Sequence, residues 1–258
     1  DAYLKPGDLN SARNAFQFCA RNNSYRNQRE VSLLQYAKLS YELGFFKDAQ
    51  SSLEQFFADY PASASKEEAE ELMVMALSAT NNFRQSLQWL DRIKQPSAML
   101  KKTFPRIWYG RAVELINDGL LERAQVLLDQ VMLAEAAGGW KQLAKFWSGE
   151  IAYRQNQYPF AIAYLQDFLS QPAPADAEAT PMNARYTLGY AHLKKSNFQA
   201  AGEQFQLITK NFPNQPSVLL QDAWLRAGDC FYMRKDYSRA KSYYDRAILL
   251  DWTTADYA

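Results

Sequence analysis

The stretch Ala184–Pro213, ARYTLGYAHLKKSNFQAAGEQFQLITKNFP, is followed at Ala223–Asp251 by AWLRAGDCFYMRKDYSRAKSYYDRAILLD. Laying Gly189 on Gly228 also places Phe198 on Tyr237, Ala201 on Ala240, Phe205 on Tyr244 and Ile208 on Ala247, all at an offset of 39. Matches at five places and one offset make an internal repeat, and a repeat decides the architecture before any single helix is read. Followed outward in both directions, the small residue at its centre recurs as Ala12, Ala49, Ser86, Ala124, Ala161, Ala201 and Ala240, at spacings of 37, 37, 38, 37, 40 and 39.

Three residues before each marker stands Leu9, Phe46, Phe83, Leu121, Tyr158, Phe198 or Tyr237. Four after it stands Phe16, Leu53, Leu90, Leu128, Leu165, Phe205 or Tyr244, and seven after it Cys19, Phe56, Ile93, Val131, Phe168, Ile208 or Ala247. These offsets trace one face of a 3.6-residue helix. Twelve before the marker a second small residue recurs as Ala37, Ala112, Gly149, Gly189 and Gly228, with Val74 as the exception. Paired small residues let two antiparallel helices approach closely, so each repeat reads as a helical hairpin. The turns are short and polar or glycine-containing: Gly44, Asn81-Asn82, Asp118-Gly119, Asn156-Gln157, Ser196-Asn197 and Lys235-Asp236. Pro61 and Pro213 close two of the second helices.

This pattern resembles the tetratricopeptide repeat. The Ala-Phe-Ala-Pro half of that signature is strong at Ala201, Phe205 and Pro213. In the other half Trp108 and Trp224 take the tryptophan place and Leu188-Gly189 the Leu-Gly place, while Leu33, Lys145 and Arg185 depart from it. The resemblance implies an all-α, right-handed superhelical solenoid, here of 37- to 40-residue units. The expected organisation is one array over 1–258: a lone second-type helix within 1–27, hairpins at 30–61, 67–98, 105–134, 142–172, 182–213 and 221–251, and at 252–258 a further unit or a tail. The polar loop 172–181 is a place for a slight bend. Leu9, Phe16 and Cys19 lack a preceding partner helix and Trp252–Tyr257 reads as entry to another hairpin, so the array is expected to continue past both ends. Long arrays of this kind in envelope-associated bacterial proteins are similar to the first unit, which implies a periplasmic or cell-envelope location, with the cytoplasm as the alternative.

Composition narrows the function. With 29 Lys and Arg against 28 Asp and Glu, the net charge of +1 gives no field for nucleic acid or an anionic membrane. No apolar run reaches the ~18 residues of a membrane span. His192 is the single histidine and sits at a packing register, and Cys19 and Cys230 fall on or near apolar stripes. All three read as core residues. The run Lys66-Glu67-Glu68-Ala69-Glu70-Glu71 reads as a solvated helix start, where carboxylates favour the positive helix end. Phosphate loops, serine elbows and zinc patterns are missing from the sequence. The expectation is a non-enzyme with no cofactor and no metal.

In the repeat class this chain resembles, first helices line a concave groove, and its residues precede the marker by 18, 15, 11, 8 and 7. Counting back places Tyr109, Phe146, Glu150, Tyr153, Arg154, Tyr186, Tyr190, Lys194, Asp229 and Tyr232 there, a candidate partner-binding groove. Tyrosine offers a rigid apolar face and a polar tip, which suits peptide recognition. Arg106, Arg154 and Lys194 beside Glu150, Asp222 and Asp229 fit a partner of mixed charge. The Lys and Asn pairs by which some family members grip a terminal carboxylate do not recur: the places hold Leu34, Lys38 and Glu42, then Tyr109, Val113 and Asn117, then Tyr186, Tyr190 and Lys194. A non-catalytic scaffold for a peptide or partner protein is therefore expected. The alternatives are a regulatory sensor with a small molecule or glycan in the tyrosine-rich groove and, more distantly, a catalytic module.

Overall fold

A computed structural model describes residues 8–22, 24–172, 174–211 and 217–250. The expectations for Pro213 and for 252–258 lie outside the described residues. The chain is an all-α array of helix hairpins, and its contacts divide it into two compact units, Asp1–Glu114 and Leu115–Ala258.

The first unit holds α1 (Leu9–Asn22), α2 (Arg26–Glu42), α3 (Phe46–Asp59), α4 (Lys66–Ala79), α5 (Phe83–Leu90), the single-turn α6 (Ala98–Lys101) and most of α7 (Phe104–Asn117). The second holds the end of α7, then α8 (Leu121–Leu133), α9 (Gly139–Arg154), α10 (Tyr158–Leu169), α11 (Pro181–Lys194), α12 (Phe198–Asn211), α13 (Val218–Met233) and α14 (Tyr237–Leu249). Within the second unit each helix from α8 to α14 packs on the next. The same holds from α1 to α5 in the first.

All seven markers are buried, as are Ala37, Val74, Ala112, Gly149, Gly189 and Gly228 twelve residues upstream. The reason is visible where the upstream residue is glycine. A Cβ on Gly149 would come within 2.6 Å of Leu165, and one on Gly228 within 2.5 Å of Tyr244, so the residue four past the marker fills the space a side chain would need. In the exceptional hairpin Val74 faces Ser86, whose hydroxyl donates to the Val74 carbonyl at 3.0 Å. A small marker is thus kept and its hydroxyl is satisfied inside the core.

The six hairpin turns share one backbone solution. Gly44, Asn81, Gly119, Asn156, Ser196 and Lys235, each five residues before a marker, all have φ between 57° and 82°. At each, the N–H of the next residue reaches back to the carbonyl five earlier: Phe45 to Ser40, Asn82 to Leu77, Leu120 to Leu115, Gln157 to Ala152, Asn197 to His192 and Asp236 to Phe231, at 2.7–2.9 Å. With the bond from the positive-φ residue itself to the carbonyl three before it, this is a Schellman closure of the first helix.

The hairpin around Ser86 departs from the others. Its second helix stops at Leu90, and Ile93, seven after the marker, lies past the helix end. Pro96 keeps the helix from resuming through this segment, because its ring would clash with the Arg92 carbonyl.

Candidate functional site

The candidate residues of the second unit sit on its first helices α9, α11 and α13. Residues fifteen before the marker turn inward. Phe146 is only 3 % exposed, with its ring 5.5 Å from Phe168 of α10 and 5.2 Å from Trp147. In the first unit Tyr109 is 6 % exposed. For these two the groove expectation is corrected: both are buried, and Phe146 packs between its own two helices against Phe168.

Tyr186 and Tyr190 are half-buried and already engaged. Their rings stand edge-on to Phe205 of α12, with centroids at 6.2 and 5.5 Å. Both hydroxyls donate to Asp222 Oδ2 of α13, at 2.8 and 2.5 Å. Arg226 then donates to Tyr190 Oη at 2.9 Å, to Asp222 Oδ1 at 3.1 Å and to Asp229 Oδ2 at 2.7 Å, and Tyr244 of α14 donates to Asp229 Oδ1 at 2.9 Å. Burial and the facing Asp222 carboxylate hold both phenols on α11 above the ordinary tyrosine range. Burial, then the Asp229 hydrogen bond, pushes Tyr244 up to about 12. This network ties α11, α13 and α14 together, and sequence reading missed it because its members come from three helices at unrelated spacings.

Tyr153 and Tyr232 stand eight before their markers and pack on the aromatic residue three before. Tyr153 lies 5.8 Å from Tyr158 and Tyr232 lies 5.3 Å from Tyr237. The Tyr41–Phe46 pair repeats the arrangement in the first unit at 5.5 Å. These pairs bracket the hairpin turns. Tyr153 keeps partial exposure and Tyr232 is 56 % exposed. One residue further, Arg154, Lys194 and Met233 are all exposed at the same register of α9, α11 and α13.

Glu150 of α9 is half-buried. Burial raises its carboxyl above the ordinary glutamate value, opposed by the Thr187 hydroxyl and the Arg154 charge, and its Oε1 is buried without a hydrogen-bond partner. His192 is buried, and that burial lowers its imidazole below the ordinary value against the pull of Glu203. Cys230 is buried, its thiol pushed up to about 12 by desolvation, and Cys19 is half-buried; both are free. A thiol held that far from ionisation is a poor nucleophile. The acidic run begins α4, where Glu68 pairs with Lys38 at 2.6 Å and Glu71 accepts the Ser97 N–H at 2.6 Å. Among the described residues no group of three or more His, Cys, Asp or Glu is placed to hold a metal, and no helix is long and apolar enough to cross a membrane.

Two segments, 149–216 and 222–250, match sequence profiles of the tetratricopeptide repeat. Over those two segments the chain is similar to the tetratricopeptide repeat. No curated protein matches it by sequence. Among solved structures, it resembles that of YrrB, described as a TPR protein with an unusual peptide-binding site, at 17% identity and a TM-score of 0.53 over 79% of this chain and 94% of the other. It also resembles the MamA RS-1 ArsTM double mutant at 18% identity and a TM-score of 0.52, over 75% of this chain and 98% of that one. At such identities the likeness is one of fold. The chain's own repeat register accounts for the buried markers and upstream small residues. It leaves the exposed positions to be read on their own chemistry.

Proposed function

We propose that the chain is a non-catalytic scaffold, one continuous repeat array that holds a peptide segment or partner domain along the face of its first helices. The observation that supports this best is the row of exposed side chains at equal register, Arg154, Lys194 and Met233, with Tyr232 beside it. None of the four is buried in its own hairpin, and together they offer aromatic, cationic and flexible apolar contacts. Tetratricopeptide repeats serve protein and peptide binding, and YrrB is described as having a peptide-binding site. A small-molecule or glycan site among the tyrosines has less support, since the hydroxyls of Tyr186 and Tyr190 are committed to Asp222. Location in a bacterial envelope belongs to the same proposal, and cell fractionation tests it.

The test is affinity capture with the wild-type chain and with an Arg154→Ala/Lys194→Ala/Tyr232→Ala variant, followed by mass spectrometry. The substitutions fall on exposed positions and are expected to leave the melting temperature unchanged within a degree or two. Partners lost only with the variant support the reading. Identical captured sets would end it.

A further inference from the structure

Three carboxylates occupy the first-helix face of the second unit, and they are not equivalent. Asp222 and Asp229 share Arg226 and accept phenol hydrogens. Glu150 has no ion pair among the described residues; the Thr187 hydroxyl and the Arg154 charge act on its carboxyl, but its Oε1 is buried without a hydrogen-bond partner. A buried unpaired oxygen is costly to keep, so its presence calls for a reason.

A lateral pairing that two other polar residues make at this register does not form at Glu150. Eleven before the marker, Lys38 of α2 pairs with Glu68 of α4 at 2.6 Å, and Tyr190 of α11 donates to Asp222 of α13 at 2.5 Å. Both partners stand eighteen before the next marker. Glu150 has the same register on α9, and the residue eighteen before the following marker is Asn183. Asn183 instead turns its amide to the Glu178 carbonyl at 2.7 Å, drawn there by the loop that leads into α11. The bond that Lys38 and Tyr190 make at this register is absent here, while Met75 and Val113, at the same place in two further hairpins, carry no group to make it. Beside the carboxyl, on the same helix, is Tyr153, whose phenol is held above its ordinary range by burial first and, among lesser causes, by the Glu150 charge. A carboxylate flanked by an aromatic ring suits a cation through a charge-assisted hydrogen bond and ring contact.

We infer that Glu150 is the residue by which this face selects a protonated nitrogen of its bound peptide, a lysine or arginine side chain or a free amino end, with Tyr153 as the adjoining wall. The inference rests on the peptide-binding reading above. The terminal torsion of glutamate is broad and two-fold, so a small rotation of the side chain presents the unpaired oxygen to an incoming donor. Arg154 and Lys194, exposed on α9 and α11, then face acidic or polar residues further along the peptide.

The experiment uses the 258-residue chain and two immobilised positional-scanning libraries of amidated octapeptides, one acetylated and one with free amino ends. The wild type is expected to select Lys or Arg at one position of the acetylated library, or the free amino end in the other library. Glu150→Gln is expected to lose that selection by roughly tenfold or more, with no loss of melting temperature. Which library shows the effect identifies the source of the nitrogen. Peptides bound without a cation preference, or with a preference that Glu150→Gln leaves intact, overturn the inference while the peptide-binding reading stands. If the wild type binds neither library, both fall together.

Discussion

A Cβ on Gly189 of α11 would stand 2.7 Å from Cζ of Phe205 on α12. The relation sets two effects against each other. Alanine is favoured over glycine in a helix interior by about 1 kcal/mol. The Phe205 ring, however, is fully buried and held edge-on by Tyr186 and Tyr190, so it has nowhere to go. Overpacking of this kind costs about 1–3 kcal/mol. Gly189→Ala is therefore expected to lower the urea midpoint. Gly228→Ala, which meets the half-exposed Tyr244 ring, is expected to lower it less. A raised midpoint for Gly189→Ala would show that close approach is not why glycine stands there.

The turns offer the opposite change. Ser196 and Lys235 hold φ of 57° and 64°, a region that costs a side-chain-bearing residue about 1–2 kcal/mol. Gly44 and Gly119 occupy the same place in other hairpins. Ser196→Gly and Lys235→Gly are each expected to stabilise by up to about 1 kcal/mol, the gain being reduced by glycine's greater unfolded-state freedom. Asn81→Gly and Asn156→Gly are expected to change little, because asparagine tolerates this conformation. Thermal melts of the four variants side by side check the ranking.

Two buried groups give pH dependences of opposite sign. Burial holds the His192 imidazole below its ordinary 6.5, so the unfolded chain takes up the proton first. Stability present above that value is lost as pH falls toward the lowered one. His192→Phe, which places there the residue that Phe231 provides at the same register, is expected to remove this loss. Glu150 is raised above its ordinary 4.5, so the folded chain takes up the proton first and stability rises as pH falls through the raised value. Glu150→Gln is expected to be at least as stable as wild type at neutral pH and to lack that rise. Denaturation midpoints from pH 4 to pH 8 for both variants separate the two contributions.

The network at Asp222 alters what a tyrosine substitution reports. Tyr190→Phe removes a hydrogen bond given to Asp222 and one received from Arg226, and is expected to cost about 1 kcal/mol. Asp222→Asn disturbs the same phenols and the Arg226 pair, at about 1–3 kcal/mol. The double variant is expected to cost less than the two together, with a coupling of about 0.5–3 kcal/mol. A strictly additive double-mutant cycle would mean that the two side chains do not act as one group.

Much of this was legible in the chain itself. The hairpin helices, the turn positions and the burial of the small residues follow from a repeat whose period and apolar offsets survive in nearly every unit. The site was legible only in part. Arg154, Lys194 and Tyr232 are exposed while Phe146 and Tyr109 are not, because counting along a helix gives an angular position but not how far the neighbouring helix closes over it. The recurring aromatic pairs at the turns, such as Tyr153 with Tyr158, were within reach of the same counting. They join a first helix to a second, and the periodicity of either helix alone does not reveal them.

Local physics determined the helices. Periodicity, small residues at fixed offsets and positive-φ turns act over a few residues, so the sequence by itself specified a lone helix and six hairpins, with the burial of Ala49, Ala161 and Ala201 among them, but not the single-turn α6. The tertiary structure alone decided which polar groups meet. Tyr190 and Asp222 are 32 residues apart, and only the packing of α11 against α13 brings them together. Asn183 had the same opportunity toward Glu150, and the loop before α11 drew it to Glu178 instead. A hydrogen bond depends on distances of a few tenths of an ångström between helices, and no spacing along a chain encodes those.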